Sequence, residues 1–568
     1  MKLKTSFFNL TAFKKNILRF SPIWALYTVA LLLVFLGMAD QDPVYLARDV
    51  IHLMPQMALV NIIYGGICAI FLFGDLFNNR LCNALHAFPV RREGWLLTGV
   101  AAGLLFSVVP NLLISLIASA VMWDYEYIAF LWLAVSTLQF IFFFGTATLC
   151  AMCAGNRLGM IALYGIFHFI TVLVFGLMEM IYIPLLYGVK VNLNDMTHLF
   201  PVGHMLNLDY IKIEYIPTTI KLYFQGFYGK DWLFTGLCAV AGVASLALSW
   251  LAYRRRQLES AGDFISFRHL SPIFLVIVTI GAGAVLYAFS ELIDNKSYVF
   301  LAIGLIIGFF AGKMLLERTL RVFNKKAFIG LGILVFIFAG TMGLTWLDPF
   351  GISGNIPNLD EVEWASVYNS NYLYEDGNGG KTPFKITDSR EIAKLQNYHK
   401  QLIDRKWEAD SGRTATVQIQ YKLHNGKSVR RFYKIPYEGE LADRAKAYFS
   451  DMRYLFSTDD IQQVYATVAE VTISQYTETE NISEGTTDKE ILAGLLDAVK
   501  ADCDAGKLAQ NWLYHSGYDE YYLDFKFKVD DNDTNYTRKW CSLYITEDCT
   551  NTVAYLKSIL PLIEKEEQ

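Results

Sequence analysis

Nine apolar stretches follow one another before residue 347, and nothing else in this 568-residue chain constrains its fold as strongly. Each is close to the roughly 20 residues needed to cross a hydrocarbon core. In lipid every backbone N–H and C=O must find its partner inside the protein, so stretches of this length are helices. They run over 21–39, 55–75, 95–121, 127–153, 158–187, 232–253, 272–293, 298–316 and 327–346. The charged fraction of the chain is 18%, below the roughly 25% of soluble domains, and the deficit falls before residue 347. The expected fold is therefore a polytopic α-helical membrane protein of about nine spans, followed by a C-terminal α+β domain made for water.

Residues 1–346 hold 24 Lys/Arg and 17 Asp/Glu, and the chain totals of 49 and 54 leave 25 and 37 for the remainder. A basic membrane part carries an acidic watery part, with no basic stripe to bind nucleic acid. The Lys/Arg bias sets orientation. With the N-terminus inside, the inner segments gather Lys14, Lys15, Arg19, Arg80, Arg91, Arg92, Arg157, Arg254, Arg255, Arg256 and Arg268. The short outer loops hold Arg48 and Lys296. Nine spans from an inside start place residues 347–568 outside the cytoplasm of a cell with a plasma membrane. Before the first span, residues 1–20 alternate aromatics with lysines and lack a cleavage site, as expected of a helix on the membrane surface. Phe8, Leu10, Phe13, Ile17 and Leu18 are expected on one side of it, with Lys14, Lys15 and Arg19 on the other.

Few ionisable groups sit inside the spans. Glu179 and His168 lie in the fifth, and a carboxylate or imidazole in lipid is a candidate for a transport pathway. The alternative for Glu179 is a hydrogen bond between helices. Gly304, Gly308 and Gly312 recur every four residues in the eighth span, a spacing that lets two helices approach closely, within the chain or with a partner. Cys150 and Cys153 form a CxxC inside an apolar helix and read as small buried side chains. Nothing in the sequence supplies a metal set.

Residues 347–361 are rich in Gly, Pro and Asn and read as a linker. Residues 362–568 read as two β-α-β-β-α repeats, about 362–457 and 466–564. The signals are strands at 364–369 and 467–476, helices at 387–403 and 487–503, and hairpins at 414–435 and 521–546. Asn425-Gly426 marks the first hairpin turn, and Thr487 with Glu490 suggests a capping box. Helices at 440–456 and 551–563 close the repeats. The segment "GNGGKT" (377–382) lacks the first glycine of a phosphate loop, since position 375 is Glu. His399, His424 and His515 are isolated and read as surface histidines. The domain is expected to bind or dock, not to catalyse.

Between the second and third spans lies "LCNALHAFPVRREGWLL" (81–97). Leu81, Ala84, Leu85 and Phe88 share one helical face. Pro89 ends that helix, because it restricts Phe88 and offers no N–H. Composition alone allows two readings: an ordinary basic inner loop, or a short helix gripped by another protein. The step "FPVRRE", the surface helix before the first span, and the exit "YRRRQLESAGD" (253–263) from the sixth span together resemble the permease subunits of type-2 (ABC-2) ATP-binding-cassette transporters of Gram-positive bacteria. His86, Pro89, Val90, Arg92 and Glu93 match the family's loop, and Phe88 stands where a Leu is usual.

The resemblance covers residues 1–265, with 21–265 as a six-span core. Spans within 266–346 and the C-terminal domain exceed that core. It implies an exporter of a lipid, peptide or drug-like compound, with no nucleotide site of its own. A separate ABC ATPase, holding ATP and Mg, would dock on residues 78–93, through Leu81, Leu85, His86, Phe88, Pro89, Arg91, Arg92 and Glu93. A second permease copy or a paralogue and membrane lipids complete the implied partners. Residues 188–231 would form short outer helices. The rival reading is a non-transporting sensor or scaffold whose outer domain binds a ligand or partner protein.

Overall fold

The computed structural model describes residues 8–38, 42–88, 90–190, 200–216, 221–293, 298–368, 374–375, 381–382, 385–404, 414–436, 439–449, 468–476, 481–508, 520–527, 540–545 and 547–566. The chain divides into two compact units, one of residues 1–180 and 192–340, the other of 181–191 and 341–568.

The first unit is helical. In order it contains α1 (Leu10–Arg19), α2 (Ser21–Leu36), α3 (Pro43–Leu72), α4 (Asn79–Ala87), α5 (Arg92–Val121), α6 (Glu126–Cys153), α7 (Arg157–Leu177) and α8 (Pro201–Leu206). A hairpin of β1 (Ile211–Ile216) and β2 (Lys221–Phe227) precedes α9 (Gly229–Arg255), α10 (Leu270–Leu292) and α11 (Tyr298–Glu317). The chain then enters α12 (Lys325–Leu347). Among the described residues eight helices are long and apolar enough to cross a membrane, and α1 with α2, bent by 56°, make a ninth if taken as one span. This is a polytopic helical membrane protein.

Three expectations change. α3 begins at Pro43, twelve residues before the apolar run at 55. Its first turns carry Arg48, Asp49 and His52, which hide the helix from a hydropathy reading, yet Leu46, Ala47, Val50 and Ile51 bury a continuous face there. α1 does not collect its apolar residues on one side. Ala12, Phe13 and Ile17 pack inward, while Leu10 and Leu18 stay exposed on the face that carries Lys14. The described residues within 200–227 form one short helix and the two paired strands of a hairpin in place of a set of outer helices; residues 191–199 and 217–220 lie outside the described residues.

Glycine sets the closest helix contacts. A Cβ on Gly242 of α9 would meet the Ile141 carbonyl and the Phe142 backbone of α6, so these two helices touch backbone to backbone. Gly304 and Gly308 press α11 onto Val278, Thr279, Ala282 and Gly283 of α10, and Gly312 meets Leu275 there. The three-glycine stripe is thus spent inside the chain. α6 lies at the centre, with Phe140, Phe143, Phe144 and Ala147 fully buried.

The second unit is α+β. It contains β3 (Val362–Tyr368), β4 (Tyr374–Glu375), β5 (Lys381–Thr382), α13 (Ser389–Asp404), β6 (Thr414–Leu423), β7 (Ser428–Pro436) and α14 (Glu440–Phe449). There follow β8 (Val468–Tyr476), β9 (Asn481–Thr486), α15 (Lys489–Asp504), β10 (Glu520–Phe527), β11 (Trp540–Ile545) and α16 (Thr550–Glu566). The strands form antiparallel sheets ordered β3-β6-β7 and β5-β4-β11-β10-β8-β9. The triplets β3-β6-β7 and β8-β10-β11 have the same order and the same intervening helices.

β9 was not expected, because "NISEGT" lacks apolar alternation; it pairs along β8. Asp488, not Thr487, caps α15, accepting from the Glu490 and Ile491 N–H groups. The helix expected over 440–456 is described only to Phe449, and His515 lies outside the described residues. Gly426 takes the turn between β6 and β7 at φ +82°.

His399 is no surface histidine. It is fully buried, with Nδ1 3.1 Å from the Tyr421 hydroxyl and Nε2 2.7 Å from the Tyr433 hydroxyl. Burial, with the Arg431 charge adding to it, lowers its pKa to about 3. Unfolding lets it return toward 6.5. In between, the unfolded chain binds the extra proton, so stability falls as pH drops from about 6.5, by roughly 1.4 kcal/mol per pH unit. Hydrogen exchange of β6 and β7 in the full chain between pH 6.5 and 5, where carboxylates stay charged, shows this slope, and His399→Phe flattens it.

The second unit also takes in residues 181–191. The Phe432 N–H donates to the Gly188 carbonyl at 2.9 Å, and Tyr187 packs on Tyr433. Gly188 has φ +74° and rests on the Tyr433 ring, so no side chain fits there.

Candidate functional site

α4 is nine residues long and forms for local reasons. The Asn78 side chain accepts from the Arg80 and Leu81 N–H groups, capping the helix start. At its end Phe88 turns extended, φ −72° and ψ 146°, as expected of the residue before a proline. Pro89 itself lies outside the described residues. Arg91 then stands at the N-cap of α5 in extended geometry.

The inner face of α4 is anchored. Cys82 is buried and Leu85 packs on the helical core. His86 Nδ1 lies 2.7 Å from the Cys82 carbonyl, and Nε2 lies 2.9 Å from the Tyr253 hydroxyl near the end of α9. Burial holds the His86 imidazole below its usual pKa, and Arg92 and Arg256 push the same way. The neutral ring therefore donates from Nδ1 to the carbonyl and accepts the tyrosine proton at Nε2. Leu85 and His86 thus position the helix and do not project outward.

Beneath them sits Arg256, 3% exposed. Its Nη1 donates to the Ala151 carbonyl at 3.0 Å, and its Nη2 to the Leu76 carbonyl at 2.9 Å. It ties the last turn of α6, whose orphan carbonyls favour a cation, to the turn at Gly74–Phe77 that leads into α4. Its own carbonyl accepts from Arg92 Nη1 at 3.2 Å. Glu93 pairs with Arg254 at 3.6 Å, and Arg19 of α1 pairs with Asp75 at 3.2 Å. Four helix ends and α1 therefore meet in one cluster.

The outer face of α4 is different. Leu81 is 48% exposed and Phe88 59% exposed, and Asn83, Ala84, Ala87 and Arg91 are exposed beside them. A short helix whose inner face is pinned by hydrogen bonds offers an apolar, exposed edge flanked by arginines. Of the residues the sequence points to, Leu81, Phe88 and Arg91 are exposed and Arg92 and Glu93 join the cluster beneath, while Tyr253 and Arg256, which hold that cluster, were not anticipated. The missed signal is the run Arg254-Arg255-Arg256 at a helix end, where the last arginine turns inward.

Inside the spans, the structure does not bring Glu179 and His168 together. They are eleven residues apart along α7 and its continuation, about 16 Å by helical rise. His168 is 1% exposed, boxed by Phe142, Phe143, Tyr164 and Phe167, with Nε2 3.0 Å from the Thr146 hydroxyl. Glu179 lies in a π turn at Met178–Tyr182, and its Oε2 is buried with no partner among the described residues. A neutral polar seam crosses the helices elsewhere. Asn61 donates to Gln139 at 3.1 Å, Gln139 donates to the Tyr210 hydroxyl at 3.3 Å, and Tyr210 meets Thr235 at 3.1 Å. A search of the sequence for ionisable groups passes over such amides and hydroxyls.

No protein-family model, curated protein or solved structure matches this chain.

Proposed function

We propose that this chain is the membrane-spanning permease subunit of an ABC-2-type ABC transporter, and that a separate ATPase grips the exposed face of α4. The observation that carries the reading is the asymmetry of α4: an inner face held to α9 through His86 and Tyr253, beside a 74–77 turn tied down by Arg256, and an outer face left apolar and open. Motion of a bound ATPase would pass through His86–Tyr253 to α9 and through Arg256 to α6. The Lys/Arg bias supports a cytoplasmic α4, with the C-terminal domain outside the cell membrane. Two permease copies, or this chain and a paralogue, would frame the path, and export of a lipid, peptide or drug-like compound is the expected direction. ATP and Mg belong to the partner, so this subunit is not itself an enzyme.

The folding of residues 181–191 into the C-terminal unit supports a second reading, a sensor whose outer domain reports ligand binding to the end of α7. One experiment separates the two. The tagged chain, extracted from its own membranes in mild detergent, carries an ATPase subunit whose hydrolysis is stimulated by the permease. Recovery of the intact chain with no ATPase bound defeats the transporter reading and leaves the sensor.

A further inference from the structure

A slot of about 320 Å³ lies between α2, α3, α5 and α6, away from α4. Its walls are apolar, among them Leu31, Phe35, Met57, Ala118 and Trp132. The volume falls within the 300–1,000 Å³ of small-molecule sites, and a few polar groups in an apolar lining are their usual mark. The lining runs from Tyr27 on α2 to Met38, two residues past its end, about 16 Å at helical rise, which is half of a ~30 Å hydrocarbon core. Val34, Leu59 and Val60 line it while remaining half exposed, so the slot opens sideways onto lipid.

Two polar groups there have no partner among the described residues. The Ser115 hydroxyl is buried, at 1% exposure, and lines the slot. Gln56 lies on the rim, exposed, with its amide unpaired inside a membrane helix. Above Gln56, His52 and Arg48 stand at successive four-residue steps, both exposed and without a partner among the described residues. Each step rises about 6 Å, so the three share one face of α3. Asp49 is half-buried, one residue and therefore about 100° around the helix from Arg48.

We propose that this slot holds one acyl chain of an anionic phospholipid from the leaflet on the Pro43 side. Gln56 meets the ester level, and His52 and Arg48 meet the phosphate. A free hydrocarbon would leave the three-residue ladder unused, and a soluble anion would leave the half-bilayer slot unfilled. The inference needs only that the helices lie in a bilayer, and it stands whether or not an ATPase drives the chain.

The test is native mass spectrometry of the full chain, with any subunits that co-purify, titrated with phosphatidylglycerol or phosphatidylcholine. The chain retains one lipid per protomer and prefers phosphatidylglycerol by about fivefold, the worth of one basic residue at a lipid surface. Ala30→Trp, which fills the slot from α2, lowers retention of both lipids at least about tenfold, the cost of excluding a few buried CH₂ groups. Arg48→Ala removes the preference and keeps phosphatidylcholine binding; as a change to an exposed side chain, it serves even if Ala30→Trp does not fold. Absence of retained lipid, or retention and preference in Arg48→Ala equal to those of the unaltered chain, overturns the proposal.

Discussion

On the proposed docking, capture of an ATPase subunit by a Leu81→Asp/Phe88→Asp chain falls at least about 100-fold while the chain still folds. Each apolar side chain buried at an interface contributes about 1.5–3 kcal/mol, and about 2.7 kcal/mol is already 100-fold in affinity. A carboxylate pushed against an apolar groove adds its desolvation cost. Folding is spared because both side chains are already outside the packed core, at 48% and 59% exposure. Quantitative pull-down, normalised to chain recovered as a single gel-filtration species, reads the effect. Unchanged capture would mean that α4 is not the docking edge.

Arg256→Ala acts from inside. It strips the donors from the Ala151 and Leu76 carbonyls, held at 3.0 and 2.9 Å. Leaving two buried carbonyls unpaired costs about 1–3 kcal/mol each, so the cluster loses about 2–6 kcal/mol. Hydrogen exchange over residues 74–87 accelerates at least about 30-fold, the ratio that 2 kcal/mol gives. Arg256→Lys restores only part, because a single ammonium lacks the planar fork that reaches two helix ends. Exchange rates equal to those of the unaltered chain would show that Arg256 does not hold α4.

The membrane helices were legible because an uninterrupted apolar run has one outcome in lipid, and α4 because Leu81, Ala84, Leu85 and Phe88 recur at helical spacing and Pro89 ends the run. The start of α3 was not: Arg48, Asp49 and His52 interrupt hydropathy while Leu46, Ala47 and Val50 continue the buried face. Periodicity marked the hairpin at Asn425-Gly426, yet β9 exists through its pairing with β8, which no local pattern encodes. His399 looked solitary because its partners, Tyr421 and Tyr433, arrive from strands that follow it in sequence. Arg256 looked like one more inner-loop charge until the carbonyls of Ala151 and Leu76, far away in sequence, were placed around it. The exposed edge of the candidate site could be read locally; the groups that hold it could not.

The most direct measurement places a photo-crosslinking amino acid at position 88, and as a control at position 123, where Trp123 is 70% exposed at the far ends of α5 and α6. Illumination of intact membranes should join position 88, and not position 123, to a subunit that binds ATP. Crosslinks from position 88 to lipid alone, or capture of the ATP-binding subunit from position 123 instead, would contradict the account.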